Sequence, residues 1–101
     1  MIRVTAHYPA RPGARFDWSY YLEQHIPMLR DRFGARMLRC EVYRGVSGMG
    51  GAPAPYVCSV HMHFASLPSF QETFDLHGAA VLAELPRYTD IAPVIVIEEA
   101  A

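Results

Sequence analysis

A histidine on the apolar face of a predicted helix is the residue of this chain best suited to acid or base chemistry. The large side chains of that helix recur at steps of three and four residues, namely Trp18, Leu22, His25, Leu29 and Phe33. Burial disfavours the charged imidazolium, and a neutral imidazole can take up a proton near neutral pH. We therefore predict that His25 is a general acid or base in an apolar pocket, with a hydrogen-bonded core histidine as the alternative.

Two neighbours in the sequence favour the catalytic interpretation of His25. Tyr21 lies one turn earlier, where its hydroxyl could orient the imidazole or polarise a substrate oxygen, and a packed aromatic ring is the alternative. Pro27 has no N–H to give the carbonyl of Glu23, so the helix should kink there at a cost of ~3 kcal/mol. We predict His25 and Tyr21 as the catalytic residues.

The second predicted helix carries a further candidate, His77, which is expected to face the same pocket from the other side. It could be a second proton-transfer group or an axial haem ligand, although no propionate-binding pattern accompanies it. Alternatively, it bonds a carbonyl freed where the helix breaks. The expected substrate-binding residues, which are also core candidates and would favour an apolar or aromatic ligand, are Tyr8, Trp18, Met62, Phe64 and His77.

Two more histidines, His61 and His63, alternate on one predicted strand and therefore point to the same face of a sheet. Glu41 or His7 from neighbouring strands could join them, which would allow a metal site. A His-x-His pair alone is a weak metal signal. We favour a hydrogen-bonded polar interface and predict no metal.

The composition excludes several classes of chemistry. The chain contains no lysine, which rules out lysine Schiff bases and with them pyridoxal phosphate enzymes and lysine-dependent aldolases. No helix follows the glycine cluster of residues 45–51 to receive a phosphate, so nucleotide binding is not indicated. We expect no cofactor, and we interpret residues 45–55 as a hairpin loop that covers a pocket or the partner subunit.

Length and charge narrow the class further. A chain of 101 residues is predicted to form one domain, residues 1–101. The net charge of −1 does not indicate a nucleic-acid-binding surface. No apolar run approaches the ~20 residues that span a bilayer. Two cysteines and no visible secretory signal predict a cytoplasmic protein. We therefore interpret the chain as a protein that binds or transforms a small molecule.

The elements that must position these residues follow the order β-α-β-β-α-β. Asp17 and Ser66 are predicted helix N-caps, and the second helix is expected to end at Pro86, with a break near Gly78 as one possibility. Alternation predicts strands at 2–8, 37–46, 56–65 and 91–98. This order predicts an α+β, ferredoxin-like βαββαβ fold with one antiparallel sheet and both helices on one face.

Alternation separates an apolar face of the sheet from a mixed one. The apolar face, predicted to meet the helices, carries Ile2, Val4, Ala6, Tyr8, Leu38, Cys40, Val42, Tyr56, Cys58, Val60, Met62 and Phe64. The opposite face carries Arg3, Thr5, His7, Arg39, Glu41, Tyr43, Ser59, His61, His63, Val94 and Val96. That face is too polar for a dry core and too aromatic for a solvated surface, so we predict that it packs against a second copy in a homodimer.

The ordered set of motifs along the chain resembles the EthD family, named for ethyl tert-butyl ether degradation. The resemblance is carried by Pro12-Gly13-Ala14-Arg15-Phe16-Asp17, Tyr21 with His25 and Pro27, Arg44-Gly45, residues 51–57, His61 with Phe64, Phe70, Phe74, His77, Tyr88-Thr89-Asp90-Ile91 and Pro93-Val94-Ile95. It covers nearly the whole chain. It implies a dimeric α/β barrel with a site between each sheet and its helices, but it implies no particular reaction. His7 and His63 lie outside the family pattern.

Two classes of function fit these features. The first is a cofactor-independent isomerase, lyase or oxygenase, the last an oxidoreductase, that acts on a small apolar or aromatic compound with His25 as acid or base. The second is a non-catalytic accessory or ligand-binding protein of a pathway such as ether degradation, and a haem-binding barrel protein is a third. Open volume beside His25 is expected for a ligand site, whereas complete filling by side chains would indicate a structural histidine.

Overall fold

The computed structural model describes residues 1–101, the whole chain, as one antiparallel sheet covered by helices on one face. The strands are β1 (Ile2–Pro9), β2 (Met37–Arg44), β3 (Tyr56–Phe64) and β4 (Val94–Glu99), and they lie in the order β2-β3-β1-β4. The helices are α1 (Trp18–Tyr20), α2 (Ile26–Phe33), α3 (Leu67–Ala83) and α4 (Leu85–Tyr88). The predicted α+β ferredoxin-like fold is confirmed. None of the helices combines the length and the apolarity needed to cross a membrane.

The first helical segment is capped as the sequence predicts but changes its geometry midway. The Oδ1 of Asp17 accepts a hydrogen bond from the Tyr20 N–H at 3.0 Å. Between α1 and α2, the segment Tyr21–His25 is a π-helix, in which the N–H of Ile26 donates to the carbonyl of Tyr21. Because Pro27 offers no N–H to the carbonyl of Glu23, a wider turn replaces the regular bonding pattern. The predicted kink is therefore a π-helical turn.

The second helix ends at Ala83, close to the predicted end, and a short separate helix follows it. Ser66 caps α3 as predicted, since its hydroxyl accepts from the Ser69 N–H at 3.2 Å. The helix does not break at Gly78, where a Cβ would lie 2.7 Å from the ring of Phe74, so this glycine makes room for an aromatic ring. α3 ends near Pro86 as predicted, but Pro86 itself belongs to the next helix. It lies in the first turn of α4, a position that needs no N–H.

The alternation of the sheet has the predicted phase. Val4, Val60 and Met62 lie beneath the helices and line a cavity there, whereas Thr5 and His61 pair on the opposite face. Their positions follow from the two-residue period of strands.

Two residues depart from the predicted phase because each lies at a β-bulge. Leu38, predicted on the helix side, falls in a bulge between Met37 and Arg39 and is 56% exposed. Tyr56, also predicted there, follows a register shift and places its ring 4.6 Å from that of His7 on the opposite face. A bulge inserts one extra residue and inverts the phase beyond it.

The loop between β2 and β3, residues 45–55, is an ordered extension of the hairpin and is called the hairpin loop below. The Gly45 N–H donates to the Val57 carbonyl at 2.9 Å, and the Gly48 N–H donates to the Ala52 carbonyl at 2.7 Å. Its tip points into solvent, since Val46 and Met49 are 92% and 95% exposed.

Gly45 closes this hairpin because its backbone lies against that of the facing strand. A Cβ at this position would collide with the carbonyl oxygen of Tyr56, which is backbone and cannot swing aside. We expect Gly45→Ala to lower the free energy of unfolding by about 1–3 kcal/mol in urea denaturation. Gln71→Ala, on the exposed side of α3, should change it by less than about 0.5 kcal/mol. Equal unfolding midpoints for Gly45→Ala and the wild type would contradict this account.

Candidate functional site

A cavity of about 270 Å³ lies between the sheet and the helices. Its lining is almost entirely apolar, and the exceptions are one imidazole and three phenol groups. The lining side chains are Val4, Ala6 and Tyr8 of β1, Tyr21, His25, Leu29 and Phe33 of the first helical segment, Val60 and Met62 of β3, Phe70, Phe74, Val81, Leu82, Leu85 and Tyr88 of the second helical region, and Pro93, Ile95 and Ile97. Such a lining suits an apolar ligand held by a few polar contacts.

His25 reaches this cavity from the π-helix and is almost completely buried, with 3% of its surface exposed. Its ring stacks on Tyr21, with centroids 5.2 Å apart, and lies 4.6 Å from the ring of Tyr88. The Nδ1 atom has no hydrogen-bond partner, and the nearest charged oxygen is Oε1 of Glu84 at 3.7 Å. The imidazole is therefore held by ring contacts and faces a carboxylate.

Glu84 is positioned by two other side chains. The hydroxyl of Tyr20 donates to both carboxylate oxygens of Glu84, at 3.1 and 3.2 Å. Nε of Arg87 lies 3.5 Å from Oε2, although this arginine is largely exposed and its contribution is weakened by solvent. The carboxylate stands between α3 and α4, where the chain turns beside the cavity.

Burial and the nearby carboxylate act on His25 in opposite directions. Burial lowers the pKa of His25 below its ordinary value of 6.5, and Glu84 raises it by stabilising the imidazolium, but burial is the larger effect. The imidazole is therefore neutral at pH 7. It can accept a proton, and Glu84 would stabilise the resulting positive charge.

The three tyrosines of the cavity remain protonated. Burial raises the pKa of Tyr21 and of Tyr88, and it also raises that of Tyr8. The hydroxyls of Tyr8 and Tyr88 share a hydrogen bond of 2.8 Å, but the buried hydroxyl of Tyr21 has no partner. The predicted hydrogen bond from Tyr21 to His25 is therefore absent, since their contact is stacking. The Tyr21 hydroxyl is left free to donate to an oxygen of a ligand.

The structure brings Tyr8, Tyr21, His25 and Met62 together around the cavity, but it places three other expected lining residues elsewhere. The ring of Trp18 lies under the guanidinium of Arg44, 4.4 Å away, on the flank of the helix. Phe64 is fully buried between the rings of Phe33 and Phe70. His77 borders a separate depression together with Arg36 and Thr73. None of these three side chains lines the cavity.

Sequence reasoning missed two residues that the site uses, Glu84 and Tyr88. Each continues the apolar stripe of the second helix at helical spacing, Glu84 three residues after Val81 and Tyr88 three residues after Leu85. Tyr88 lies beyond Pro86, where the helix was predicted to end. Glu84 lies before Pro86, but it is a charged residue and an apolar stripe does not single it out.

The opposite face of the sheet holds a hydrogen-bonded polar network. The hydroxyl of Thr5 donates to Glu98 at 2.9 Å and lies 3.1 Å from Nδ1 of His61. Nε2 of His63 lies 3.7 Å from Glu41. No three His, Cys, Asp or Glu side chains of the chain come together in a way that could hold a metal ion.

The two cysteines are free thiols, and the structure does not activate them. Burial raises the pKa of Cys58 to about 12 and also raises that of Cys40. A thiol must lose its proton to act as a nucleophile. Both residues are therefore packing residues at neutral pH.

Solved structures resemble this chain over its whole length. An EthD-like protein from Ralstonia eutropha JMP134 is 38% identical, with a TM-score of 0.91 over 97% of this chain and 89% of that chain. An ethyl tert-butyl ether degradation (EthD) family protein from Bacillus halodurans C-125 shares the fold at 17% identity, with a TM-score of 0.78 over 100% of this chain and 99% of its own.

More distant structures share the fold alone. A Deinococcus radiodurans protein described as a candidate antibiotic biosynthesis monooxygenase is 15% identical, with a TM-score of 0.65 over 100% of this chain and 93% of its own. No family model matches the sequence, and no curated protein matches it.

The opposed effects on His25 can be separated by titration. We expect the imidazole of His25 to titrate below pH 6.5, because burial dominates, and to titrate lower still in Glu84→Gln, because the carboxylate that stabilises the imidazolium is gone. NMR spectra of labelled histidine across the pH range measure both midpoints. His61, on the other face of the sheet, is the internal control and should titrate alike in both proteins. A His25 midpoint above pH 6.5 would show that burial is not the larger effect. A midpoint that is the same in the wild type and in Glu84→Gln would show that the carboxylate does not stabilise the imidazolium.

Proposed function

Because the chain belongs to the EthD-like family, we propose that it is a small-molecule protein of a catabolic or biosynthetic pathway and that its cavity takes a small apolar or aromatic compound. One observation carries the proposal. A buried, neutral imidazole with an unpartnered Nδ1 lines an apolar cavity that is open rather than filled. A purely structural histidine would be expected to bond its neighbours and to leave no volume beside it.

We further propose that the protein is a cofactor-independent enzyme in which His25 moves a proton. The neutral imidazole removes a proton from a C–H or O–H group of the substrate and becomes an imidazolium beside Glu84. The negative charge left on the substrate is stabilised where the Tyr21 hydroxyl donates to an oxygen. The same imidazolium returns its proton to another atom of the substrate, as an isomerase or lyase requires. Proton transfer of this kind uses only side chains of the chain.

The chemistry of the site favours this proposal over haem binding. His77 was the candidate for an axial haem ligand, but it borders a separate depression and does not line the cavity. The cavity offers no cationic side chain to a haem propionate, since its lining holds no arginine. Ether degradation and oxygenase chemistry are more specific activities within this proposal. The screen of ethers and aromatic compounds described below tests them.

We also propose that the functional unit is a homodimer located in the cytoplasm. The mixed sheet face is supplied with hydrogen-bonding groups, but it lies uncovered in a single chain. Val94 and Val96 on it are 52% and 38% exposed. Packing two such faces into a barrel would bury them and leave no free sheet edge. Two free cysteines fit a reducing compartment.

The catalytic role of His25 is tested by a matched pair of variants. Purified protein is screened against aromatic compounds and ethers by ligand-observed NMR, and compounds that bind are assayed for turnover. We expect His25→Gln to bind the compound but to lose 10²–10⁴-fold in turnover, because glutamine keeps the bulk and polarity without a titratable group. His77→Gln makes the same change outside the cavity and should leave turnover unaltered.

Two results would contradict this mechanism. A folded His25→Gln variant with unchanged turnover would remove His25 from the chemistry, and wild-type turnover abolished by a metal chelator would show that a metal is needed. Binding without turnover of any compound would instead favour the accessory, ligand-carrying alternative, in which the same cavity holds a compound and does not transform it.

The dimer is tested by light scattering after size-exclusion chromatography. We expect twice the chain mass of 11.4 kDa at micromolar concentration, since a specific interface of this kind should bury more than roughly 1,200 Å². Val94→Glu places a charge on the mixed face and should give a folded monomer. Leu76→Glu, at a position 72% exposed on α3, should remain dimeric. A monomeric wild type would overturn the proposed dimer.

A further inference from the structure

The cavity beside His25 is open on one side. Among its lining residues, the largest exposed fractions belong to Leu82 at 40%, Ile95 at 46% and Ile97 at 50%. Leu82 lies on α3, and the two isoleucines lie on the edge strand β4. The mouth of the cavity therefore lies between this helix and this edge strand, and its rim is apolar. Nothing within the same chain covers it.

The hairpin loop is an apolar surface without a contact of its own. Its backbone is fixed by internal hydrogen bonds, and the Ser47 hydroxyl adds another to the carbonyl of Gly48 at 2.7 Å. This fixed frame nevertheless presents Val46 and Met49 almost wholly to solvent. Two large apolar side chains held out on an ordered loop are typical of a surface that meets a partner.

The topology of the sheet determines where this loop lies in a closed dimer. β2 and β4 are the two edge strands, and all neighbouring strands are antiparallel. If two copies close a barrel around a two-fold axis along the barrel, β4 of one copy lies beside β2 of the other. The alternation of strand directions makes that pair antiparallel as well. The end of β2, where the hairpin loop begins, then lies beside the start of β4 in the partner.

The charges of the two edges agree with this arrangement. β4 ends in Glu98 and Glu99 and carries no basic residue, whereas β2 carries Arg39 and Arg44 against a single acid, Glu41. The two edges therefore carry opposite net charges. Opposite net charges favour the pairing of β4 with β2 over the pairing of two like edges.

We infer that the hairpin loop of each subunit closes the cavity mouth of the other, with Val46 and Met49 seated on Leu82 and Ile95 of the facing subunit. The inference rests on the homodimer of the proposed function and deepens it, because each site is then incomplete in a single chain. Closing the apolar rim excludes water from His25, which keeps the imidazole neutral and strengthens every polar contact to the ligand. The loop also limits the length of the compound that fits.

Cross-linking tests the contact without any ligand. The variant Met49→Cys/Leu82→Cys is treated with a short bismaleimide, and the products are separated on denaturing gels. We expect covalent dimers from the double variant, and few from either single variant or from the wild type, whose Cys40 and Cys58 are half-buried and buried. A double variant that is dimeric by light scattering but is not cross-linked would overturn the loop contact alone. A monomeric protein would overturn the dimer and the contact together.

Closure of the mouth is tested by fluorescence measurement of the binding of N-phenyl-1-naphthylamine, an uncharged apolar probe. We expect Val46→Ser/Met49→Ser to remain folded and to bind the probe about tenfold more weakly, because the apolar cover is lost. Leu76→Ser removes an exposed apolar side chain far from the cavity and is the matched control. Unchanged affinity in the dimeric loop variant would overturn closure. If the wild type binds no apolar compound, the proposed ligand function fails, and cross-linking still decides the position of the loop.

Discussion

The missing N–H of Pro27 is the constraint on which the site depends. Without this N–H, the carbonyl of Glu23 lacks its usual helical hydrogen-bond partner. The chain forms a wider turn here, in which the N–H of Ile26 donates to the carbonyl of Tyr21. Tyr21 and His25 lie at the two ends of that turn with their rings stacked, and both face the cavity. A π-helical turn is a costly and uncommon geometry that is frequent at functional sites. The local cost of the proline therefore falls at the two residues of the first helical segment that carry polar groups into the cavity.

The second requirement is a balance of charge around a buried base. Burial alone favours the neutral form of His25 and would leave an imidazolium without a counter-charge. Glu84 offers that counter-charge from 3.7 Å, and its own carboxylate is fixed by the Tyr20 hydroxyl. These three residues belong to two different helical regions. The site thus depends on the packing of these regions over the sheet as much as on the turn that carries His25.

Features that repeat along the chain or that follow a local rule could be predicted from the sequence. Asp17 and Ser66 cap helices as predicted, and the two-residue period gave the correct face for Val60 and His61. Single insertions were not predictable, because the bulges that reverse Leu38 and Tyr56 leave the alternation of residue types intact. The members of the site could be predicted only in part, since the depth at which a side chain meets a cavity depends on helix packing. His77 and Glu84 share one helix stripe, and only the latter stands beside His25.

Strand β4 makes a single chain prone to aggregation. Its segment Val94-Ile95-Val96-Ile97 is apolar on both faces and lies at an open edge, which is the composition of segments that seed fibrils. A newly made chain therefore carries an adhesive strand until another surface covers it. Glu98 and Glu99, which follow directly, repel a second copy stacked in register, as charges flanking such segments do in other proteins. The charges of the two glutamates therefore oppose in-register stacking of this edge.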